Sequence, residues 1–186
     1  YIEGPKTSYK SLNRPKMGDQ YLRGIFNGVD KDGSGLISGP ELQKALSNGT
    51  FKPFDKSTVI LMIKLFDKGQ KGSLDFDEFR LVWKFVDDWL KCFSAFDRDN
   101  SGTISRTELV QALTSFGYRL SDNFYNQIFN KFGDKGNNVI IFDKFIFVCL
   151  CLQRFTAAFR SRDTQQQGVL NIAYDDFLGL LMENLF

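Results

Sequence analysis

Twelve residues from Asp97 to Glu108, DRDNSGTISRTE, supply an oxygen at every position from which a short loop can hold a hard divalent cation. Asp97, Asp99 and Ser101 stand at loop positions 1, 3 and 5, and the Thr103 carbonyl stands at position 7. Ser105 at position 9 can hold a water, and Glu108 at position 12 can close the loop with both carboxylate oxygens. Gly102 at position 6 accepts the left-handed turn that points these groups at one centre. The chemistry is binding of Ca2+, which takes about six to eight oxygens. A second complete set, DKDGSGLISGPE, runs from Asp30 to Glu41 with Asp30, Asp32, Ser34, the Leu36 carbonyl, Ser38 and Glu41 as ligands. Three carboxylates per loop predict two Ca2+ sites in the sensor range, on the order of micromolar, with Mg2+ as the alternative occupant when Ca2+ is scarce.

Three further copies of the pattern have each lost ligands. Residues 67–78 (DKGQKGSLDFDE) keep Asp67, Asp75 and Glu78, but Gly69 offers no side-chain oxygen and Lys71 sets a cation among the acids. That predicts a weak or empty site. Residues 133–144 (GDKGNNVIIFDK) have Gly133 in place of the first acid and Lys144 in place of the closing glutamate, so no metal is expected. Residues 163–174 (DTQQQGVLNIAY) offer Asp163, Gln165, Gln167 and Asn171, but Tyr174 replaces the closing glutamate and no tight Ca2+ site is expected. Position 8 stays apolar in all five copies, as Ile37, Leu74, Ile104, Ile140 and Leu170. Position 6 is glycine except for Asn138, the substitute best suited to left-handed backbone. The degenerate copies are therefore expected to keep the same loop fold, joined in pairs by short β-bridges at position 8.

The elements that must position these loops follow from their spacing. The loops start at residues 30, 67, 97, 133 and 163, and the gaps of 30 residues are too short for two helices and a linker. One helix is therefore expected to leave the second loop and enter the third, over Phe76 to Phe96, and another to join the fourth and fifth, over Phe142 to Arg160. The longer gaps contain breakers, Asn48-Gly49 with Pro53 and then Phe116-Gly117, followed by caps at Asp55 and Ser121. The fold class is all-α, with eight helices starting near Asp19, Gly39, Asp55, Phe76, Ser105, Ser121, Phe142 and Ala173. Residues 1–18 are an N-terminal segment and 19–186 the folded domain. With the first loop bridging the second and the third bridging the fourth, the fifth is left without a mate. An unpaired β-edge and an apolar helix face predict a dimer through this unit, with Leu170, Tyr174, Phe177, Leu178 and Leu181 in the interface; packing of the last helix within its own chain is the alternative.

Composition bounds the function. The chain has 186 residues, 42% hydrophobic and 25% charged, enough to bury a core. A net charge of +2 gives no basic excess for nucleic acid, although two bound ions would raise it by four units and favour anionic membrane surfaces. There is no histidine, no phosphate-binding glycine loop and no cysteine nucleophile constellation, so no enzyme is expected. Cys92, Cys149 and Cys151 lie in apolar surroundings and read as reduced core thiols of a cytoplasmic protein. The longest apolar run, residues 145–152, is short of the roughly 20 residues of a membrane span. Among 20 phenylalanines, Phe26, Phe66, Phe96, Phe132 and Phe159 flank the loops and are expected in the core. Trp83 and Trp89 are expected to line the core or a cleft, and Asp87 and Asp88 to form a solvated face. The sequence begins at Tyr1 without a methionine, and a longer N-terminus is expected.

Five such loops with alternating long and short spacing, and two shared helices, resemble the penta-EF-hand family. The stretches VDKDGSG, LMIKLFDK, LVWKFVDDW, FDRDNSGTIS, QALTSFGYRLS and LQRFTAAFR resemble the group of that family containing peflin and the apoptosis-linked-gene-two product, rather than the calpain subunits, sorcin or grancalcin, and the glutamines of the fifth loop resemble peflin's. The resemblance implies a calcium-responsive adaptor that forms a homodimer, or a heterodimer with a related penta-EF-hand protein. It also implies peptide or protein targets that include proline-rich segments, and peripheral association with endoplasmic reticulum exit sites and vesicle membranes. By the same resemblance Arg119, in GYRLS, is a candidate switch residue beside a target pocket; as an exposed linker arginine it would have no such role. A regulatory subunit of a calpain-like cysteine protease and a calcium buffer remain the alternatives.

Overall fold

Asp75 and Ser105 each precede a glutamate by three residues, and this local signal starts two of the helices that organise the chain. The Asp75 carboxylate accepts from the Glu78 amide at 2.9 Å while Glu78 accepts from the Asp75 amide at 3.0 Å. Ser105 and Glu108 form the same reciprocal box. A computed structural model of the chain describes residues 18–47 and 54–184. Among these residues the order is α1 (Asp19–Val29), α2 (Gly39–Ser47), α3 (Lys56–Phe66), α4 (Phe76–Phe96), β1 (Thr103–Ile104), α5 (Arg106–Ser115), α6 (Asp122–Phe132), β2 (Ile140–Ile141), α7 (Phe142–Arg160) and α8 (Tyr174–Asn184). Each helix begins within one residue of its expected start, with Asp55, Ser105 and Ser121 as N-caps rather than first helical residues. The tail over residues 1–17 and the breakers at Asn48, Gly49 and Pro53 lie outside the described residues.

Position 8 of the loops joins them as expected. Ile37 and Leu74 form an antiparallel bridge with N–H to carbonyl distances of 2.7 and 2.9 Å. Ile104 pairs with Ile140 in the two-stranded sheet. Leu170 is half-buried, and no strand or bridge involves the fifth loop among the described residues.

The two long helices carry the core. α4 buries Phe79, Val82, Val86, Trp89 and Phe93 along one side, and α7 buries Phe142, Phe145, Ile146, Cys149 and Leu152. Their rings interlock: Trp89, 1% exposed, sits edge-on to Phe85, Phe116 and Phe145, and Phe93 meets Phe142 and Phe145 at 5.3 and 5.5 Å between centroids. Trp83 is half-buried against Phe79. Phe26 is buried, Phe66, Phe96 and Phe132 pack against the core, and Phe159 is half-buried. Asp87 and Asp88 lie on a partly solvated face and are ion-paired along the helix, Asp87 with Lys91 at 2.7 Å and Asp88 with Lys84 at 2.5 Å. The described cysteines are free, with Cys92 and Cys149 buried and Cys151 half-buried.

A polar contact ties the start of α3 to the start of α7. Lys144 Nζ lies 3.0 Å from Asp55 Oδ2, and the Asp55 amide donates to Asp143 at 3.2 Å. At the other end of α7, Arg154 donates to the Asn184 side chain and the Glu183 carbonyl, and Arg162 pairs with Glu183, which anchors α8 although none of its residues is buried. Among the described residues no helix is long and apolar enough to cross a membrane.

Candidate metal centre

Loop position 9 is the N-cap of the outgoing helix and position 12 is its third residue, so one glutamate serves both the loop and the helix. Glu108 Oε2 accepts from the Ser105 amide and hydroxyl at 2.8 and 2.7 Å, and its Oε1 reaches back across the loop to the Arg98 amide at 2.9 Å. Glu41 repeats the arrangement with Ser38 at 3.0 and 2.6 Å and the Lys31 amide at 2.9 Å. At the start of each loop the first aspartate gathers backbone amides: Asp97 those of Ser101 and Gly102, Asp30 those of Ser34 and Gly35. The glycines stand at φ +74° in both loops, where a β-carbon would be strained.

These bonds gather the acids. Carboxylate oxygens of Asp30, Asp32 and Glu41 lie within 4.8 Å of one another, as do those of Asp97, Asp99 and Glu108, and these are the two such groups among the described residues. The Ser34 and Ser101 hydroxyls lie 3.1 and 3.2 Å from the Leu36 and Thr103 carbonyls, which places positions 5 and 7 on the same centre. Six oxygen-bearing positions with no sulfur or imidazole suit a hard cation such as Ca2+. Donors within the loops lower four of these acids. The Ser34 hydroxyl and amide hold Asp32 below the usual carboxylate range, and Ser101 does the same for Asp99. Glu41 is lowered by the Ser38 hydroxyl and amide, and then by the Lys31 amide. Burial pushes Glu108 up, but the Ser105 and Arg98 donors outweigh it and leave it below its ordinary value.

The other loops keep the frame and differ at the centre. In the second, Lys71 Nζ stands among Asp67, Asp75 and Glu78. In the fourth, a β-carbon at Gly133 would lie 2.5 Å from the Phe129 carbonyl oxygen, so the missing first acid has no room, and Lys144 turns away from the loop to Asp55. In the fifth, Asp163 accepts from the Gln167 and Gly168 amides as the complete loops do, but Tyr174 at position 12 is 73% exposed. Neither of these two loops has a side-chain box at positions 9 and 12: Ile141 and Lys144 cannot form one in the fourth, nor can Asn171 and Tyr174 in the fifth.

Two features were not drawn from the sequence. The serine- or aspartate-to-glutamate spacing that doubles as a capping box was legible at Ser38, Asp75 and Ser105. Position 4 also adopts left-handed backbone, at Gly33, Gln70, Asn100 and Gln166. Gly33 and Asn100 advertise this, whereas the glutamines carry no such signal. Arg119 is exposed in the linker that follows Gly117, itself at φ +90°. Of the expected interface residues, Tyr174, Phe177, Leu178 and Leu181 are exposed on α8.

Comparison with known proteins agrees with this geometry. The sequence profile of the EF-hand domain pair matches residues 19–84 and 86–150. The chain is 40% identical to Danio rerio peflin over 161 residues, which is 86% of this chain and 60% of that protein. It is 44% identical to Schistosoma japonicum sorcin over 162 residues, 87% of this chain and 94% of that one. Peflins and sorcins thus match at comparable identity, so the expected separation from sorcin does not hold, and the chain spans about three fifths of the Danio rerio peflin's length. A solved homolog of programmed cell death 6 protein from Leishmania major Friedlin superposes with a TM-score of 0.75 at 30% identity, over 90% of this chain and 95% of that one.

Proposed function

Because this chain belongs to the penta-EF-hand family, we propose that it is a calcium sensor and adaptor with two working sites, in its first and third loops. The observation that carries the proposal is the pair of three-carboxylate clusters, each closed by a glutamate that also caps the helix leaving the loop. Bound Ca2+ supplies a positive centre that fixes the position of that glutamate. Glu41 rides on α2 and Glu108 on α5, so occupancy is transmitted to two helices whose buried faces, Leu42 and Ala45 or Leu109 and Leu113, belong to the common core. α5 runs directly into the linker holding Arg119, which makes that residue the candidate through which the third loop alters a target surface.

The partner in this proposal is a second penta-EF-hand chain, identical or related, docked on the fifth hand. Exposed Tyr174, Phe177, Leu178, Leu181 and Met182 on α8, together with a loop that lacks a bridge partner among the described residues, support it. The likeness to peflin extends the proposal to a cytoplasmic adaptor that meets endoplasmic reticulum or vesicle membranes in a calcium-dependent way and binds peptide targets, proline-rich segments among them. A hydrophobic dye separates sensor from buffer. The sensor is expected to change dye fluorescence several-fold on adding Ca2+, and Glu41→Gln with Glu108→Gln to abolish the change; an unchanged signal in the parent would leave only buffering.

A further inference from the structure

Two apparent defects of the second loop form a single device. Lys71 occupies position 5, where Ser34 and Ser101 stand in the complete loops, and its side chain folds back over the centre. Nζ lies 3.2 Å from Asp67 Oδ1, 2.9 and 3.0 Å from the two Glu78 oxygens, and 4.0 Å from Asp75 Oδ2. These are positions 1, 12 and 9, the acids the loop has retained. The Asp67 and Glu78 side chains are only 4% and 7% exposed, and two like charges so enclosed need a counter-charge. Gly69, at the position that lost its ligand, makes room for it: a β-carbon there would lie 3.3 Å from both Cγ and Nζ of Lys71. The absent side chain at position 3 and the lysine at position 5 are thus sterically matched.

We propose that Lys71 is the resident cation of the second loop and holds Asp67, Asp75 and Glu78 as a bound ion would, so that this hand stays set without Ca2+. The Glu78 oxygens, and then Asp67, raise the Lys71 ammonium above its ordinary value. Burial pushes Asp67 up, yet the Lys71 and Gly72 amides and the ammonium more than offset it and leave it lowered. The consequence reaches the first loop, whose Ile37 donates to the Leu74 carbonyl at 2.7 Å and accepts from the Leu74 amide at 2.9 Å. A preset second hand gives the first loop a fixed bridge partner, so less ordering accompanies ion binding there. The inference uses the EF-hand reading of the second loop and does not depend on Ca2+ binding by the first or third.

Hydrogen exchange of the full chain in chelator tests it. The amides of Lys68 and Gly72, which donate to Glu78 and Asp67, are expected to exchange at least tenfold more slowly than Lys31 and Gly35, or Arg98 and Gly102, at the same positions of the complete loops. Adding Ca2+ is expected to slow the latter pairs and leave the second loop unchanged. Lys71→Met is expected to bring Lys68 and Gly72 to the exchange rate of the others in chelator, and Lys71→Asp to add one Ca2+ per chain. Equal protection of all three loops in the parent protein without calcium would overturn the proposal, and that comparison needs no variant to fold. Unchanged protection in Lys71→Met would overturn it as well.

Discussion

Asp55 performs two jobs that asparagine and alanine separate. Its Oδ1 accepts from the Ser57 amide at 2.8 Å and the Ser57 hydroxyl at 2.6 Å, capping α3, while Oδ2 pairs with Lys144 at the start of α7. The pairing links the first two hands to the fourth. Loss of an N-cap costs about 1 kcal/mol. The ion pair, with Asp55 46% and Lys144 23% exposed, lies in the range of about 0.2–1 kcal/mol that partly solvated pairs contribute. Asp55→Ala should therefore cost about 1–2 kcal/mol and Asp55→Asn, which keeps a capping oxygen, about 0.5 kcal/mol. Urea unfolding in chelator, followed by circular dichroism, resolves the two: with a slope of about 2 kcal/mol per molar, alanine lowers the midpoint by about 0.5–1 M and asparagine by about 0.25 M. The pH dependence carries its own sign. Ser57 hydroxyl and amide, then Lys144, lower Asp55 from 3.8 to about 2, so its ionised contribution is complete above pH 3.8 and is lost as pH falls through about 2. Asp143 runs the other way, since burial raises it and ionisation costs stability as pH rises through its folded value. The gap between parent and Asp55→Asn is expected to close toward pH 2, because the Asp55 carboxylate loses its charge there; the substitution also removes one of the charges that raise Asp143. Equal damage from asparagine and alanine, or a gap independent of pH, would refute the assignment of the two jobs.

Trp89→Ala should destabilise the chain by about 3–5 kcal/mol, measured by urea unfolding, because the ring joins α4 to Phe116 and Phe145 at the centre of the core. Gly133→Asp restores the first acid of the fourth loop in sequence only; calorimetry should show no added Ca2+ site, and stability should fall by about 1–3 kcal/mol as the Phe129 carbonyl is displaced. As a test of the proposed dimer, Leu178→Asp with Leu181→Asp should shift sedimentation toward monomer while leaving helix content unchanged, since both side chains are exposed within the chain.

What could be read from the sequence was whatever repeats at fixed offsets. Position 8 announced the Ile37–Leu74 and Ile104–Ile140 bridges, and the 30-residue spacing forced α4 and α7 to be continuous. Lys71 was legible as a cation among acids because its neighbours are set by the loop pattern. The Lys144–Asp55 contact was not, since it joins residues 89 apart whose approach depends on how α3 packs against α7. The pairs of Asp87 with Lys91 and Asp88 with Lys84 are of the other kind, since a four-residue spacing on the expected helix already sets them side by side. Gln70 and Gln166 at left-handed backbone were invisible, because glutamine has no preference for that conformation and the loop imposes it.

Calcium titration by isothermal calorimetry, on the parent chain and on Glu41→Gln, Glu108→Gln and the double variant, decides whether the first and third loops are the working metal sites. Glutamine keeps a side-chain acceptor for the helix cap but removes one charge from each centre. A divalent ion about 3 Å from a carboxylate gains about 3 kcal/mol even at water-like screening, so each substitution should weaken its site by about 100-fold. Two ions per chain are expected, one lost in each single variant and none bound at micromolar calcium in the double. Two ions retained by the double variant would contradict that assignment.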